Sequence, residues 1–223
     1  HKQIDRAIED IGVFDANQNE LYFIGNPGFG VTAQPFFPGV PSTPKAERKY
    51  DALEFRLNRR FADNFFFNAS YTWSRLYGNY SGLASSDENG RSAPNVNRFF
   101  DLPFIGFSGL GQPDNGLLPT DRTHYFKFYG AYEIPWTSSN TTEISGRFDA
   151  ASGTPITTRY TVFGVAGQIL NGRGDLGRTE MFTQTDLGLR HRYRFGRDNR
   201  FTVVATLNIL NLFDEKNVLG HSE

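Results

Sequence analysis

Cysteine is absent from this chain of 223 residues, and methionine occurs once. Without thiols there is no disulfide scaffold and no Cys-ligated metal, although the absence fixes no compartment. No stretch approaches the roughly 18 to 20 consecutive apolar residues that a transmembrane helix needs. An excess of either charge is also missing: 23 basic against 24 acidic residues give a formal net charge of -1. No electrostatic footprint for nucleic acid or for an anionic lipid surface follows from that balance, and no nucleic-acid partner is expected. His1, His124, His191 and His221 are scattered, with no second His or Cys at ligand spacing. No nucleophile falls beside a base and an orienting group. The expectation is a protein with no catalytic residues, no cofactor and no metal.

Aromatic residues are plentiful, at 15%, and 23 glycines and 11 prolines accompany them. Aromatics favour strands, whereas Gly and Pro favour the turns between strands, so the composition is that of an all-β chain. Mean hydropathy is -0.47. That value would suit a soluble protein, but a membrane-spanning strand shows lipid only every second side chain, so a low mean is compatible with an entirely apolar face.

Residues 1–47 hold two polar stretches, the run Gly25-Asn26-Pro27-Gly28-Phe29-Gly30, and then Pro35, Pro38, Pro41 and Pro44. They read as a long loop region with short pieces of structure. From Tyr50 the character changes to six segments of about nine to twelve residues with period-2 alternation, the signature of strands. The first sets Leu53, Phe55 and Leu57 against Glu54 and Arg56. The second sets Phe65, Phe67, Ala69, Tyr71 and Trp73 against Asn68, Ser70 and Thr72. The third sets Phe126, Phe128, Tyr132 and Ile134 against Lys127 and Glu133. Ile144, Gly146, Phe148 and Ala150 oppose Glu143, Arg147 and Asp149 in the fourth. Leu187, Leu189, Tyr193 and Phe195 oppose Asp186, Arg190, Arg192 and Arg194 in the fifth, with His191 on the apolar side. Phe201, Val203, Ala205, Leu207 and Ile209 oppose Thr202, Thr206 and Asn208 in the sixth. Within all six, the charged residues keep to one face.

Alternation alone also describes an antiparallel sheet with one face in water. The connections discriminate. Short turns near 60–64, 135–140 and 196–200 close three hairpins, and long links at 77–123 and 152–182 join them. Tight turns at one end and long loops at the other are the habit of transmembrane barrels, with periplasmic turns and extracellular loops. Links of that length are uncommon in compact soluble domains. Aromatics at strand ends, including Tyr71, Trp73, Tyr132, Trp136, Tyr193 and Phe201, would form girdles at the two bilayer interfaces.

Thr120-Asp121-Arg122-Thr123-His124-Tyr125-Phe126-Lys127 leads into Gly130-Ala131-Tyr132-Glu133-Ile134-Pro135-Trp136. Ser152-Gly153-Thr154-Pro155, then Gly172-Arg173-Gly174-Asp175-Leu176-Gly177-Arg178-Thr179, and Asn208-Ile209-Leu210-Asn211-Leu212-Phe213-Asp214 follow in order. Together these segments resemble the barrel of Oar-like TonB-dependent transporters over roughly Tyr50 to Val218. The resemblance implies an antiparallel up-and-down transmembrane β-barrel in the bacterial outer membrane, of which this chain is about six strands out of about 22. It further implies a plug and a TonB complex acting through that plug, neither in this chain, and uptake or translocation of a large ligand. On this reading residues 1–47 are an extracellular loop region and 48–223 a partial barrel of three hairpins. The start at His1, with neither an initiator Met nor an apolar leader, and the end at Gly220-His221-Ser222-Glu223 are read as truncations.

In such a wall, Glu143, Arg147, Asp149, Asp186, Arg190 and Arg192 would line the lumen, where they could touch a plug or a passing ligand; a mutually neutralising polar network is the plainer reading. Arg173-Gly174-Asp175 matches an adhesion tripeptide that also arises by chance. Asp87-Glu88-Asn89-Gly90 and Asp114-Asn115-Gly116 read as turns rather than Ca²⁺ loops. Two other functions remain compatible with the sequence: a surface adhesin or secretion-linked barrel, and a soluble carbohydrate-binding β-sandwich.

Overall fold

The computed structural model describes residues 1–4, 6, 9–14, 17, 19–26, 28, 45–80, 114–162 and 165–218. Twelve strands run in chain order among the described residues: β1 (Lys2–Ile4), β2 (Glu9–Phe14), β3 (Glu20–Gly25), β4 (Arg48–Ala62), β5 (Phe65–Gly78), β6 (Gly116–Leu117), β7 (His124–Pro135), β8 (Asn140–Ala151), β9 (Arg159–Val162), β10 (Val165–Ile169), β11 (Phe182–Phe195) and β12 (Phe201–Ile209). Among the described residues the helical content is one 3-10 turn, Arg197–Asn199. No helix among the described residues is long and apolar enough to cross a membrane, which says nothing about crossing by strands.

One antiparallel sheet carries the architecture, in the order β1-β4-β5-β7-β8-β11-β12, with β6 paired to the end of β5. The sheet is open: β12 forms one edge, and below its three-residue pairing with β1 the long strand β4 forms the other. All six expected strands are present and antiparallel, and consecutive long strands are neighbours. This is up-and-down order. β2 with β3 and β9 with β10 form two separate hairpins outside it.

Register fixes the faces, because residues directly opposite in an antiparallel pair share a side. The row Phe67, Gly130, Gly146, Leu187 and Ile209 runs across five strands. The row below it is Phe65, Tyr132, Ile144, Leu189 and Leu207. Nothing among the described residues covers this apolar face: Phe55 is 64% exposed and Trp136 63%, and Leu57, Trp73, Tyr132, Phe201 and Leu207 are also exposed. A soluble sheet would bury such a face against a second layer. Here the largest fully buried apolar side chains among the described residues, Leu118 and Ile169, lie in the links between the long strands instead.

The strands exceed the expected segments at both ends. β4 and β5 have 15 and 14 residues, against about 9 to 11 needed to span a bilayer. Charged residues do occur on the apolar side: Asp51 opposite Arg75 at the loop end, and Arg59 opposite Phe67, within the apolar rows themselves. Arg59 turns back toward the turn, with its guanidinium 3.9 Å from the centre of the Phe65 ring and 2.8 Å from the Asp63 carboxylate. A long basic side chain can in this way cover apolar surface while its head reaches the interface.

The tight ends are built by local chemistry. Asp63 and Asn64 form a two-residue hairpin loop with φ of 51° and 67°, the conformation of a type I′ turn that Asn and Asp tolerate. The β11–β12 turn likewise holds Asp198 and Asn199 at φ of 56° and 57°.

Candidate functional site

On the polar face, side chains two apart along a strand stand side by side, and three such pairs join. Glu54 accepts from Arg56 at 2.7 Å, Asp149 from Arg147 at 2.5 Å, and Asp186 from the Gln184 amide at 3.1 Å. Asp186 also accepts the backbone N–H of Asn211 at 3.0 Å, which ties the polar face to the segment after β12. All six residues picked from the sequence lie on this face. Arg147 stands opposite Asp186, and Glu143 lies between Glu133 on β7 and Arg190 on β11. Arg192 reaches the Glu133 carboxylate at 3.8 Å. They do not gather into one site: Arg147, Asp149 and Asp186 form an upper group, Glu143, Arg190 and Arg192 a lower one toward the tight turns.

Arg147 and Asp149 of the upper group border a groove of about 340 Å³ whose other walls include Arg56, Asn58, Asn68, Ser70, Lys127 and Tyr129. Amides, hydroxyls and both signs of charge line it. Such a surface holds water or a polar ligand by hydrogen bonds, and no three His, Asp or Glu side chains gather to bind a metal among the described residues. Arg56 and Lys127 were not singled out in the sequence; their shared row with Asp149 could be found only from the register, Arg56 to Ser70 to Lys127 to Asp149.

The loop ends contain a second polar construction. Asp121, 1% exposed, accepts from the backbone N–H of Leu76 and from Arg178, each at 2.5 Å. Arg178 also donates to the Gly153 carbonyl at 2.9 Å. Arg173 donates from Nε to the Asp114 carboxylate at 3.1 Å, and the two side chains are 1% and 2% exposed. Burial pushes the Asp114 carboxyl above its ordinary value, while the adjacent Arg173 guanidinium pulls it the other way. Thr154 and Thr179 exchange backbone hydrogen bonds by N–H to Oγ1 and N–H to carbonyl, both 2.9 Å. Gly153 permits this approach, since a Cβ there would lie 1.8 Å from the Thr179 carbonyl oxygen. These contacts stitch the bases of the links after β5 and after β8 to each other.

This arrangement answers two readings of the sequence. Arg173 is buried, and Asp175 accepts from the Thr158 N–H at 2.7 Å, so Arg173-Gly174-Asp175 is a folded loop element rather than a displayed adhesion tripeptide. Asp114-Asn115-Gly116, expected as a turn, instead runs directly into β6 at Gly116, and the Asp114 carboxylate is committed to Arg173. Asp87-Glu88-Asn89-Gly90 lies outside the described residues, as do Pro35, Pro38 and Pro41.

Residues 12–175 match the family described as outer membrane beta barrel domain. The chain is also 37% identical over 220 residues to the TonB-dependent transporter Oar of Myxococcus xanthus, an alignment covering 98% of this chain and 19% of that protein. It therefore spans about a fifth of that relative's length. No solved structure matches. Neither description denotes an enzyme, and an outer-membrane barrel wall excludes the soluble carbohydrate-binding sandwich.

Proposed function

This chain belongs to the outer membrane beta barrel domain family, and on that premise we propose that it is part of the wall and the outer loops of a TonB-dependent transporter that moves a large ligand across the bacterial outer membrane. The observation that carries the reading is the two-sidedness of one up-and-down sheet: an uncovered apolar face toward lipid, and a hydrogen-bonded polar face toward a lumen. The name of the similar Myxococcus protein supports transport over adhesion. On this reading Glu143, Arg147, Asp149, Asp186, Arg190 and Arg192 line the lumen. Residues 1–47 form an extracellular region and 48–223 a partial barrel.

The energy source is the TonB complex, acting through a plug in the remainder of the parent protein. Captured ligand would pass the stitched outer loops and then the polar wall, whose donors and acceptors alternate closely enough to exchange hydrogen bonds with a moving polar solute. The test is binding of the full-length parent protein, purified in detergent, to the isolated periplasmic domain of TonB. Complex formation supports the transporter. Absence of a complex removes the energy coupling and favours a secretion-linked or adhesive barrel.

A further inference from the structure

We propose that the apolar face carries a specific site for one phospholipid of the periplasmic leaflet, with an acyl chain along the Gly130–Gly146 step and the phosphodiester at His191. Two adjacent strands place glycine directly opposite glycine in the middle of the apolar face. A Cβ at Gly146 would meet nothing within 4 Å. Beside this step lies a groove of about 530 Å³, walled by Phe65, Phe67, Phe128, Tyr132 and Ile144. The groove is shallow and open along its length, a shape that suits an extended chain lying on the face rather than an enclosed small molecule.

Two rows toward the tight turns, the same face becomes polar in one place. Trp136 Nε1 donates to Thr142 Oγ1 at 2.8 Å, and Thr142 Oγ1 lies 2.9 Å from His191 Nδ1. The indole can only donate, so the hydroxyl oxygen accepts from it, and the hydroxyl and Nδ1 share a second hydrogen bond in which either can donate. Either way one donor is left for an oxygen outside the chain: Nε2–H when Nδ1 accepts, the Thr142 hydroxyl when Nδ1 donates. His191 is exposed on this face, flanked by small Ala205 on β12.

The spacing fits one lipid. Gly146 and Thr142 are four residues apart on β8, roughly 13 Å along the strand at ~3.3 Å per residue, and about 10 Å along the normal for a tilt of ~40°. That keeps both ends within one leaflet, about 15 Å deep in hydrocarbon. The site rests on the outer-membrane placement of the chain and not on transport.

Native mass spectrometry of the full-length parent protein, released from detergent after incubation with phosphatidylethanolamine, tests it. The wild type should keep one lipid. Gly146→Leu, which fills the open space beside the groove, and His191→Leu, which removes the imidazole, should each lose that adduct. Leu53→Val, on the same face away from the groove, should keep it. Retention by Gly146→Leu, equal loss in Leu53→Val, or a second copy of the protein in place of the lipid would overturn the site.

Discussion

Arg173 and Asp114 stand 59 positions apart in the chain and meet in an ion pair of 3.1 Å with side chains 1% and 2% exposed. Removing one partner strands the other charge without water. Asp114→Ala should therefore loosen the outer loops by about 3–5 kcal/mol, whereas the double replacement Asp114→Leu, Arg173→Met should cost much less, because no charge is left behind. Trypsin added to intact cells would read the difference as faster cleavage within 114–178 in the single variant only. Equal cleavage in both would mean that the pair is not buried in the membrane-bound protein.

A glycine sets a second constraint on the same loops. Gly153→Ala puts a methyl group 1.8 Å from the Thr179 carbonyl oxygen, so backbone must move and the Thr154–Thr179 bonds must break. The same protease experiment should show loop opening comparable to loss of the ion pair. Undisturbed resistance would show that these two segments do not lie against each other.

These loop contacts were out of reach of the sequence, whereas the wall was largely legible in it. Alternation at Phe65, Phe67, Ala69, Tyr71 and Trp73 is forced, because every second side chain must suit lipid. Past the apolar stretch that pressure ends: Asp51 and Arg75 break the pattern while the strands continue, so strand ends could not be read. Asp121 and Arg178 lie in segments that carried the family resemblance, yet nothing local announced that they pair across 57 positions. The lumen candidates shared a face as expected, but their division into two groups depends on register between strands.

The apolar face makes an asymmetric prediction about neighbours in sequence. Phe128 sits in the row of Leu57, Ala69 and Phe148, and Lys127 points to the other side. Phe128→Arg in the parent protein should cost about 2–4 kcal/mol near the bilayer midplane, while Lys127→Ser should be mild. Urea unfolding in lipid vesicles measures both. Similar penalties would remove the assignment of this face to lipid.

The turn between β4 and β5 gives a local test of the backbone. Asn64 holds φ of 67°, a region that costs a residue with a branched Cβ roughly 1–2 kcal/mol. Asn64→Val should lower stability by that amount in the same unfolding assay, and Asn64→Gly should not. A neutral Asn64→Val would mean that the hairpin closes through a different turn.

The open edges decide what the 223 residues can do by themselves. Among the described residues, β4 has no neighbour on its outer side from Asp51 to Ala62, and β12 has none beyond β11. In lipid no water is available to these N–H and C=O groups, and each unsatisfied one costs several kcal/mol. Closure by further strands removes the cost, as it does in any transmembrane barrel. The segment expressed alone should therefore aggregate or remain unfolded in detergent, and the same residues within the full-length parent should be folded. Size-exclusion chromatography with circular dichroism distinguishes these states. A monodisperse β-rich monomer of the segment alone would show that its edges are satisfied within the chain, and the partial-wall reading would fail with that result.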